Sequence, residues 1–320
     1  MSHAVVDVLL TGRLDGAGRG AWLRALRKAA PEFSWWSDGD GDMPREAIAA
    51  AVVANPAPGA LAGMPRLRLV QSLWAGVEGL LADDTLPAQV PLARMVDPAM
   101  SAAMAETALW AVLALHRRFF DYAAQQSKGN WQPLPQRRAG DIRVLVLGLG
   151  AMGGAVAARL AAQGYRTTGW RAAASDRPVT SGVAMHAGEA ALPSLLAATD
   201  IVVNLLPLTA STRGLIDTRF LAALPRGASI VNLARGAHVD DATLLAALDS
   251  GWLDRAVLDV FCAEPLPTEH RYWRHPKVTM LPHAAALTDV ESSASLVAAN
   301  LRALRDGAPL RHLVDRARGY

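Results

Sequence analysis

Residues 142–153 read IRVLVLGLGAMG, a continuous apolar run that ends in a cluster of glycines. A strand covered by helices on both faces has this unbroken apolar character. Gly148, Gly150 and Gly153 fit the G-x-G-x-x-G pattern of a strand-to-helix turn that binds a dinucleotide. The first glycine allows the tight turn, the second lets the backbone approach the pyrophosphate, and the third lets helix and strand pack closely. The stretch therefore predicts a dinucleotide-binding domain.

The choice of dinucleotide depends on the end of the next strand. The amides of Ala151 and Met152 are expected to face the pyrophosphate at a helix N-terminus, whichever dinucleotide binds. An NAD site expects an acid for the ribose hydroxyls, and that position falls at Trp170 and Arg171. An arginine there pairs with a 2′-phosphate, whereas an acid repels it. The sequence predicts NADPH as the cofactor, with NADH as the alternative.

The sequence around the glycines repeats the order of strand and helix. A helix is predicted for Gly154–Gln163, and another for DATLLAALDSG (241–251). Further strands are predicted for YRTTGW (165–170), DIVVNLLP (200–207), ASIVNLAR (228–235), RAVLDVF (255–261) and VTMLPH (278–283). This order of elements predicts a doubly wound parallel sheet.

The first hundred residues predict a second α/β lobe. Strands are expected at Val5–Leu10 and Leu67–Leu73, an apolar segment at Ile48–Ala54 and a helix at Trp22–Ala30. Short apolar strands that alternate with helical stretches are typical of a parallel α/β unit. A helix at Ser292–Arg305 follows the last strand of the cofactor domain and is expected to return to this first lobe.

Between the lobes, residues 100–127 contain neither Gly nor Pro and predict one long helix. From Leu109 to Leu115 the pattern is apolar nearly all round, so more than one side is expected to be buried. Such a helix suits a connector between lobes or a subunit interface. GNWQPLPQRRAGD (129–141) then marks a loop by its Gly, Pro and polar residues.

Composition limits the classes of function. The chain has 320 residues, enough for two compact lobes, with 52% hydrophobic and 19% charged residues and a net charge of +3. The basic residues are scattered, which argues against a nucleic-acid partner. No secretory segment is recognised and no apolar run is expected to span a membrane, and no metal site is predicted. Cys262 is the one cysteine, so it is expected to be a small buried residue in a protein of the reducing cytoplasm.

Three later segments each supply one functional side chain at the carboxyl end of a predicted strand. NLARG ends in Arg235 and Gly236, LDVFCAEPLP contains Glu264, and TMLPH ends in His283. Singly, an arginine is usually a surface charge, an acid before proline a turn cap, and a histidine a structural residue. Open α/β sheets bind ligands at this edge, however, and the three together suit the reduction of a 2-keto acid.

Each of these groups has a place in that reaction. The fork of Arg235 can bind the substrate carboxylate and polarise the carbonyl. His283 suits the proton donor because imidazole titrates near working pH, and Glu264 beside it would fix the ring. Amides of Trp74, Ala75 and Gly76, at the turn after LRLVQSL, can bind the carboxylate from the first lobe. The substrate is then expected between the lobes.

With these motifs in view, the chain resembles the D-isomer-specific 2-hydroxyacid dehydrogenases, and most closely their glyoxylate/hydroxypyruvate reductase A branch. WAGVE (74–78) is similar to the substrate-carboxylate loop, and NLARG, LDVFCAEPLP and PHAAA (282–286) are similar to the catalytic segments. NWQPLP (130–135) and VDRARGY (314–320) resemble that branch in particular. The resemblance covers nearly the whole chain.

The resemblance implies a Rossmann-type sheet inserted in a smaller flavodoxin-like α/β domain. Residues 1–98 and 288–320 would form the substrate-binding domain, and residues 99–287 the NADP-binding domain. The helix at about 100–127 would take part in a homodimer interface. The further cofactor contacts that it implies are Leu206, Pro207, Thr212, Ala234, Asp259 and Ala285.

The implied activity is NADPH-dependent reduction of glyoxylate and hydroxypyruvate. Two features depart from the family. Trp74 stands where many members have a small residue, and Arg171 comes earlier than the phosphate-binding arginine of the branch. Trp36 and Trp131 are candidate pocket walls by resemblance. Two alternatives stay open: a dehydrogenase for a bulkier 2-keto acid, and a dinucleotide-sensing protein without turnover.

Overall fold

The computed structural model describes residues 6–173 and 182–320. The chain divides into two compact units, one formed by residues 1–99 and 288–320 and the other by residues 100–287. Each unit is built on its own parallel sheet. The first unit is discontinuous in sequence because the second is inserted between its two parts.

The first unit contains a five-stranded parallel sheet among the described residues, in the order β2-β1-β3-β4-β5. Its elements are β1 (Asp7–Gly12), α1 (Gly16–Ala29), β2 (Ser34–Ser37), β3 (Ala50–Ala54), β4 (Leu69–Ser72), α2 (Glu78–Leu81), β5 (Leu92–Ala93) and, after the inserted unit, α9 (Val290–Asp306). Both β3 and β4 are buried along their whole length, which agrees with the apolar sequence of β3, whereas β4 also buries Gln71 and Ser72.

Helices α1 and α9 carry clear end signals. Asp15 accepts a hydrogen bond from Gly18 N at the start of α1, and Asp289 accepts one from Ser292 N at the start of α9. Side-chain oxygens at this position satisfy amides that have no partner within the helix. Gly307 ends α9 in the left-handed region, at a φ of 67°.

The second unit contains a seven-stranded parallel sheet within the described ranges, in the order β12-β11-β10-β9-β6-β7-β8. Its elements are α3 (Pro98–His116, which begins in the first unit), α4 (Phe119–Gln126), β6 (Arg143–Leu147), α5 (Ala151–Ala162), β7 (Arg166–Arg171), β8 (Ala184–Ala187), α6 (Leu192–Ala197), β9 (Ile201–Asn204), α7 (Thr218–Ala223), β10 (Ala228–Asn232), α8 (Asp241–Asp249), β11 (Leu253–Leu258) and β12 (Val278–Met280). The predicted α/β fold class with a doubly wound sheet is confirmed.

The strand order of this sheet reverses between β6 and β9. From β6 the chain moves outward through β7 and β8, and then returns to form β9 to β12 on the other side. Open α/β sheets bind ligands outside the carboxyl ends of the strands at such a switch point. The glycine-rich turn after β6 and the loop after β9 both begin there.

The single long helix predicted over residues 100–127 is wrong. Helix α3 ends at His116 and α4 begins at Phe119, with Arg118 between them in the left-handed region at a φ of 61°. At the break the Arg118 guanidinium pairs with the nearby Asp121 at 2.6 Å and with the distant Asp254 at 3.5 Å, and the Arg255 guanidinium lies 5.2 Å from the Phe120 ring centroid. Asp254 and Arg255 are far away in sequence, so their part in the break has no local signal.

Helix α3 also corrects the expectation that no apolar run reaches membrane length. Of the helices in the described part of the chain, it is long and apolar enough to cross a membrane, by length and composition alone, with a mean hydropathy of 1.4. Met104, Ala108 and Val112 nevertheless belong to the buried core of the second unit, together with residues of β6 and α5. Of the window that meets this criterion, 44% is buried, so α3 packs on the core through part of its surface.

Other differences are smaller. The first strand spans Asp7–Gly12 rather than Val5–Leu10, and Val5 lies outside the described residues. Cys262 is exposed, so the expectation of a buried cysteine is wrong. It lies in the irregular segment after β11, where the chain has left the sheet.

Candidate active site

The glycine-rich turn has the geometry that a dinucleotide requires. Gly148 follows β6 at a φ of 86°, and a Cβ there would lie 2.6 Å from the Leu205 carbonyl oxygen. A Cβ on Gly153 would lie 1.8 Å from the Gly148 carbonyl oxygen, so helix α5 can approach the turn only with glycine at this position. Gly150 is the N-cap of α5, and apart from its own chain neighbours and helix no described atom would lie within 4 Å of a Cβ at this position.

The same turn suits a pyrophosphate. The first hydrogen bond of α5 runs from Gly154 N to the Gly150 carbonyl. The preceding amides, those of Ala151 and Met152, are therefore among the donors that a helix leaves without internal partners. They stand beside the open space at Gly150, at the positive end of a 12-residue helix. These residues fit a dinucleotide phosphate group.

Arg171 is the last residue of β7 and is half-buried. It comes one position after Trp170, which pairs with Leu147 at the end of β6. This places it at the carboxyl edge of the sheet, on the strand next to the glycine-rich turn. The segment that follows, residues 174–181, lies outside the described residues.

The loop after β9 is held by its own hydrogen bonds. Thr212 is buried, and its hydroxyl donates to the Pro207 carbonyl at 2.6 Å. The same hydroxyl accepts a hydrogen bond from Thr209 N at 2.9 Å. Leu206 is buried beneath the loop. The implied cofactor contacts Leu206, Pro207 and Thr212 thus lie in one ordered loop at the switch point.

Glu264 and His283 are in direct contact. Glu264 Oε2 lies 2.7 Å from His283 Nδ1, and Glu264 Oε1 accepts a hydrogen bond from Phe261 N at 2.8 Å. A carboxylate only accepts, so Nδ1 carries a proton and Nε2 is the nitrogen left to face a substrate. Both side chains are partly exposed. The pair has the form of a proton donor whose ring is oriented by an acid.

The backbone around His283 is fixed by Asp259. His283 has a φ of 54°, a region that non-glycine residues rarely adopt, and its amide donates to the Asp259 carbonyl at 2.8 Å. The Asp259 carboxylate accepts from Ala284 N at 2.7 Å and from Ala285 N at 3.1 Å. Burial raises the pKa of Asp259 above its ordinary value, although these amide hydrogen bonds oppose the shift. Asp259 therefore has a structural part at the site.

Arg235 follows β10 and is half-buried, and its guanidinium donates to the Ala234 carbonyl at 2.6 Å. A Cβ on the next residue, Gly236, would lie 2.0 Å from the Phe261 carbonyl carbon. The Arg235 segment therefore packs directly on the segment whose amide holds Glu264. The structure brings Glu264 and His283 into contact and places the Arg235 backbone beside them.

The predicted carboxylate loop lies in the first unit. Trp74, Ala75 and Gly76 follow β4 and are half-buried, and Trp74 N donates to Ser72 Oγ at 3.0 Å. Trp36 lies in β2 and donates through its indole to Asp7 at 2.8 Å. Trp131, in the second unit, is 96% exposed. The roles of these residues toward a substrate stay predictions.

Sequence reasoning missed three buried polar residues of the second unit: Asn204, Asn232 and His238. Asn204 and Asn232 end the neighbouring strands β9 and β10 in exact register. Two apolar strands that both end in asparagine were the available signal. Within the described residues, no group of three or more His, Cys, Asp or Glu side chains could hold a metal ion.

A glycine-rich turn, an acid–imidazole pair and an arginine at the carboxyl edge of a doubly wound sheet define the class of dinucleotide-dependent dehydrogenases. Residues 109–285 match the family model of the D-isomer specific 2-hydroxyacid dehydrogenase NAD binding domain. The chain is also 41% identical, over 93% of its length and 96% of the relative's, to the glyoxylate/hydroxypyruvate reductase A of Salmonella newport (strain SL254). The chain belongs to the D-isomer specific 2-hydroxyacid dehydrogenase family.

Solved structures of the family agree with the fold. A D-isomer specific 2-hydroxyacid dehydrogenase from Xanthobacter autotrophicus Py2, in complex with NADPH and MES, has a TM-score of 0.93 and 39% identity, covering 99% of this chain and 100% of that one. The NADPH-dependent glyoxylate/hydroxypyruvate reductase of Sinorhizobium meliloti, in complex with NADP and sulfate, has a TM-score of 0.91 and 34% identity, covering 98% and 100%.

Proposed function

We propose that this chain is an NADPH-dependent reductase of small 2-keto acids, which converts glyoxylate to glycolate and hydroxypyruvate to D-glycerate. The observation that carries the proposal is the 2.7 Å contact between Glu264 and His283, on the same sheet edge as the glycine-rich turn. A sensor that only binds the dinucleotide has no use for a proton donor with an orienting acid. The names of the relatives support the substrate class.

NADPH, when bound, supplies the hydride. The turn at Gly148, Gly150 and Gly153 would hold its pyrophosphate, and Arg171 its 2′-phosphate. The loop that contains Pro207 and Thr212, together with Asp259 and Ala285, would contact the rest of the cofactor. The NADPH and NADP complexes of related structures support this choice of cofactor.

The side chains of the site would complete the reaction. His283, protonated and oriented by Glu264, donates the proton from Nε2 to the carbonyl oxygen. Arg235 binds the carboxylate and stabilises the charge that develops on that oxygen. The family resemblance assigns the amides of the loop at Trp74 to Gly76, in the first unit, to a substrate carboxylate. In this assignment Arg235 leaves the Ala234 carbonyl when it takes the substrate.

The test is steady-state oxidation of NADPH with glyoxylate, hydroxypyruvate and phenylpyruvate. The expected result is turnover with the two small acids and a kcat/KM for phenylpyruvate that is lower by about 10²-fold or more. A preference for phenylpyruvate would favour the bulkier-acid alternative. Nucleotide binding without turnover of any of the three would refute the reductase and leave the sensor.

We further propose a cytoplasmic homodimer. Three aromatic side chains near α3 and α4 support an interface there, since Trp110, Phe119 and Trp131 are 40, 53 and 96% exposed. A reducing compartment suits the exposed thiol of Cys262. Sedimentation equilibrium at micromolar concentration tests the oligomeric state, and a mass of one chain would refute the dimer.

A further inference from the structure

Three polar side chains lie in the core of the second unit beneath the candidate site. Asn204, Asn232 and His238 are 0, 1 and 0% exposed. Buried polar groups destabilise a fold unless they find hydrogen-bond partners. The hydrogen-bond partners of these three side chains include backbone groups in the loops of the candidate site.

Asn204 sets the orientation of the group. Its Nδ2 donates to Asn232 Oδ1 at 3.0 Å and faces His238 Nδ1 at 3.0 Å, while its Oδ1 accepts from Leu206 N at 3.2 Å. An amide nitrogen only donates, so His238 Nδ1 must accept. The proton of the neutral ring is then on Nε2, which lies 3.2 Å from the Pro207 carbonyl and donates to it.

The group also reaches the Arg235 segment. Asn232 Nδ2 donates to the Arg235 carbonyl at 3.0 Å, and Asn232 Oδ1 accepts from Ala234 N at 3.2 Å. One continuous series of hydrogen bonds therefore joins the Arg235 carbonyl to the Pro207 carbonyl through Asn232, Asn204 and His238. Rotating the Asn204 amide by half a turn would place like groups opposite each other at every one of its contacts.

The two ends of the series belong to different parts of the candidate site. Arg235 is the proposed carboxylate-binding residue, and Pro207 lies in the loop proposed to contact the cofactor. We propose that Asn204, Asn232 and His238 are positioning residues that hold these two loops in a fixed relation. They touch no reacting atom, and their effect passes through backbone carbonyls. The inference rests on the proposed reductase function.

His238 offers the sharpest variants. His238→Ala removes both ring contacts. His238→Gln retains a donor about where Nε2 stands, so it can still reach the Pro207 carbonyl, whereas His238→Asn retains an acceptor about where Nδ1 stands and is too short to reach it. The expected result for His238→Ala is an increase of about tenfold, equal to about 1.4 kcal/mol, in the Kd of NADPH and in the KM of glyoxylate. His238→Gln should restore most of the NADPH affinity, and His238→Asn should not.

A matched control separates positioning from stability. Asn300 is 3% exposed in the first unit, and its amide donates to Gln71 Oε1 at 2.7 Å and accepts from Arg311 N at 2.9 Å. Asn300→Ala also leaves buried partners unpaired and should lower the Tm, but the Kd of NADPH should stay within twofold of the wild type. Binding is measured by NADPH fluorescence and stability by thermal unfolding.

The outcomes are distinct. If His238→Ala lowers the Tm as Asn300→Ala does and leaves both constants unchanged, the three residues only stabilise the core and the proposal is wrong. If His238→Ala does not fold, the comparison of His238→Gln with His238→Asn decides, and equal NADPH affinities would overturn it. A wild type without turnover of any 2-keto acid refutes the reductase instead, and the NADPH arm still tests the link to Pro207.

Discussion

Gly236 leaves no room for a side chain between the two segments that carry Arg235 and Glu264. A Cβ at this position would lie 2.0 Å from the Phe261 carbonyl carbon and 2.4 Å from Cys262 N. Ordinary contact begins at 3.4 Å, so alanine must separate the segments by about 1.4 Å, the difference between 3.4 and 2.0 Å. The contacting atoms belong to the backbone of Phe261 and Cys262, so no side chain can rotate away to make room.

The displacement has a chemical consequence because Phe261 N holds Glu264. A misplacement of about 1 Å in an active site can lower the rate about 10²-fold. Gly236→Ala should therefore lower kcat/KM for glyoxylate by about 10²-fold. Overpacking should also lower the free energy of unfolding by about 1–3 kcal/mol. Steady-state kinetics at saturating NADPH and urea unfolding measure the two effects.

Gly140→Ala is the matched control in the same unit. Its Cβ would lie 3.9 Å from the Gly164 carbonyl oxygen, an ordinary contact, and it precedes β6 at the opposite edge of the sheet. Activity should be unchanged there. Folded Gly236→Ala protein with kcat/KM within threefold of the wild type would show that the Arg235 and Glu264 segments can separate without loss, and would refute the reasoning.

Three more predictions concern single side chains. His283→Ala should lower the turnover number by about 10²-fold or more while NADPH binding persists, and unchanged turnover would make the residue structural. Arg171→Asp should raise the KM of NADPH relative to that of NADH, since the acid repels the 2′-phosphate; a wild type that already prefers NADH contradicts the assignment. Burial raises the pKa of Asp200, but hydrogen bonds from Arg143 and the hydrogen bond and charge of Arg137 together outweigh it and hold the pKa below its ordinary value of 3.8. The ionised Asp200 thus stabilises the fold above that pH, and this stabilisation disappears as the pH falls through the lower pKa of the folded state. Asp200→Asn should lower the free energy of unfolding by about 1–2 kcal/mol at pH 7, with a smaller difference near pH 3 by urea unfolding.

The sequence predicted best those elements whose own residue pattern reflects how they are buried. The strand β6 reads RVLVL and is buried except at its first residue, so its apolar run reports two covered faces. The edge strand β8 reads AMHA and is mostly exposed, so it has no apolar pattern to report. The strand β2, SWWS, is too short to show an alternation that stands out.

The site divides in the same way. Gly148 and Gly153 are required because neighbouring backbone lies too close for a side chain. The spacing of the glycine motif already predicts this constraint. The roles of Asn204 and His238 depend on partners about 30 residues apart, which meet only because β9 and β10 are neighbours. At the bend, Arg118 likewise pairs with the distant Asp254 as well as with the nearby Asp121. Sequence periodicity carries no information about contacts between residues that are distant in sequence.

His283 combines an exposed imidazole with a backbone at a φ of 54°. Glycine adopts that conformation without the steric penalty, which is about 1 kcal/mol or more for other residues. A laboratory evolution scheme that rewards heat tolerance alone would thus favour glycine at position 283 and lose the proposed proton donor. Selection for higher thermal stability therefore has to be combined with a screen for turnover in each round of selection.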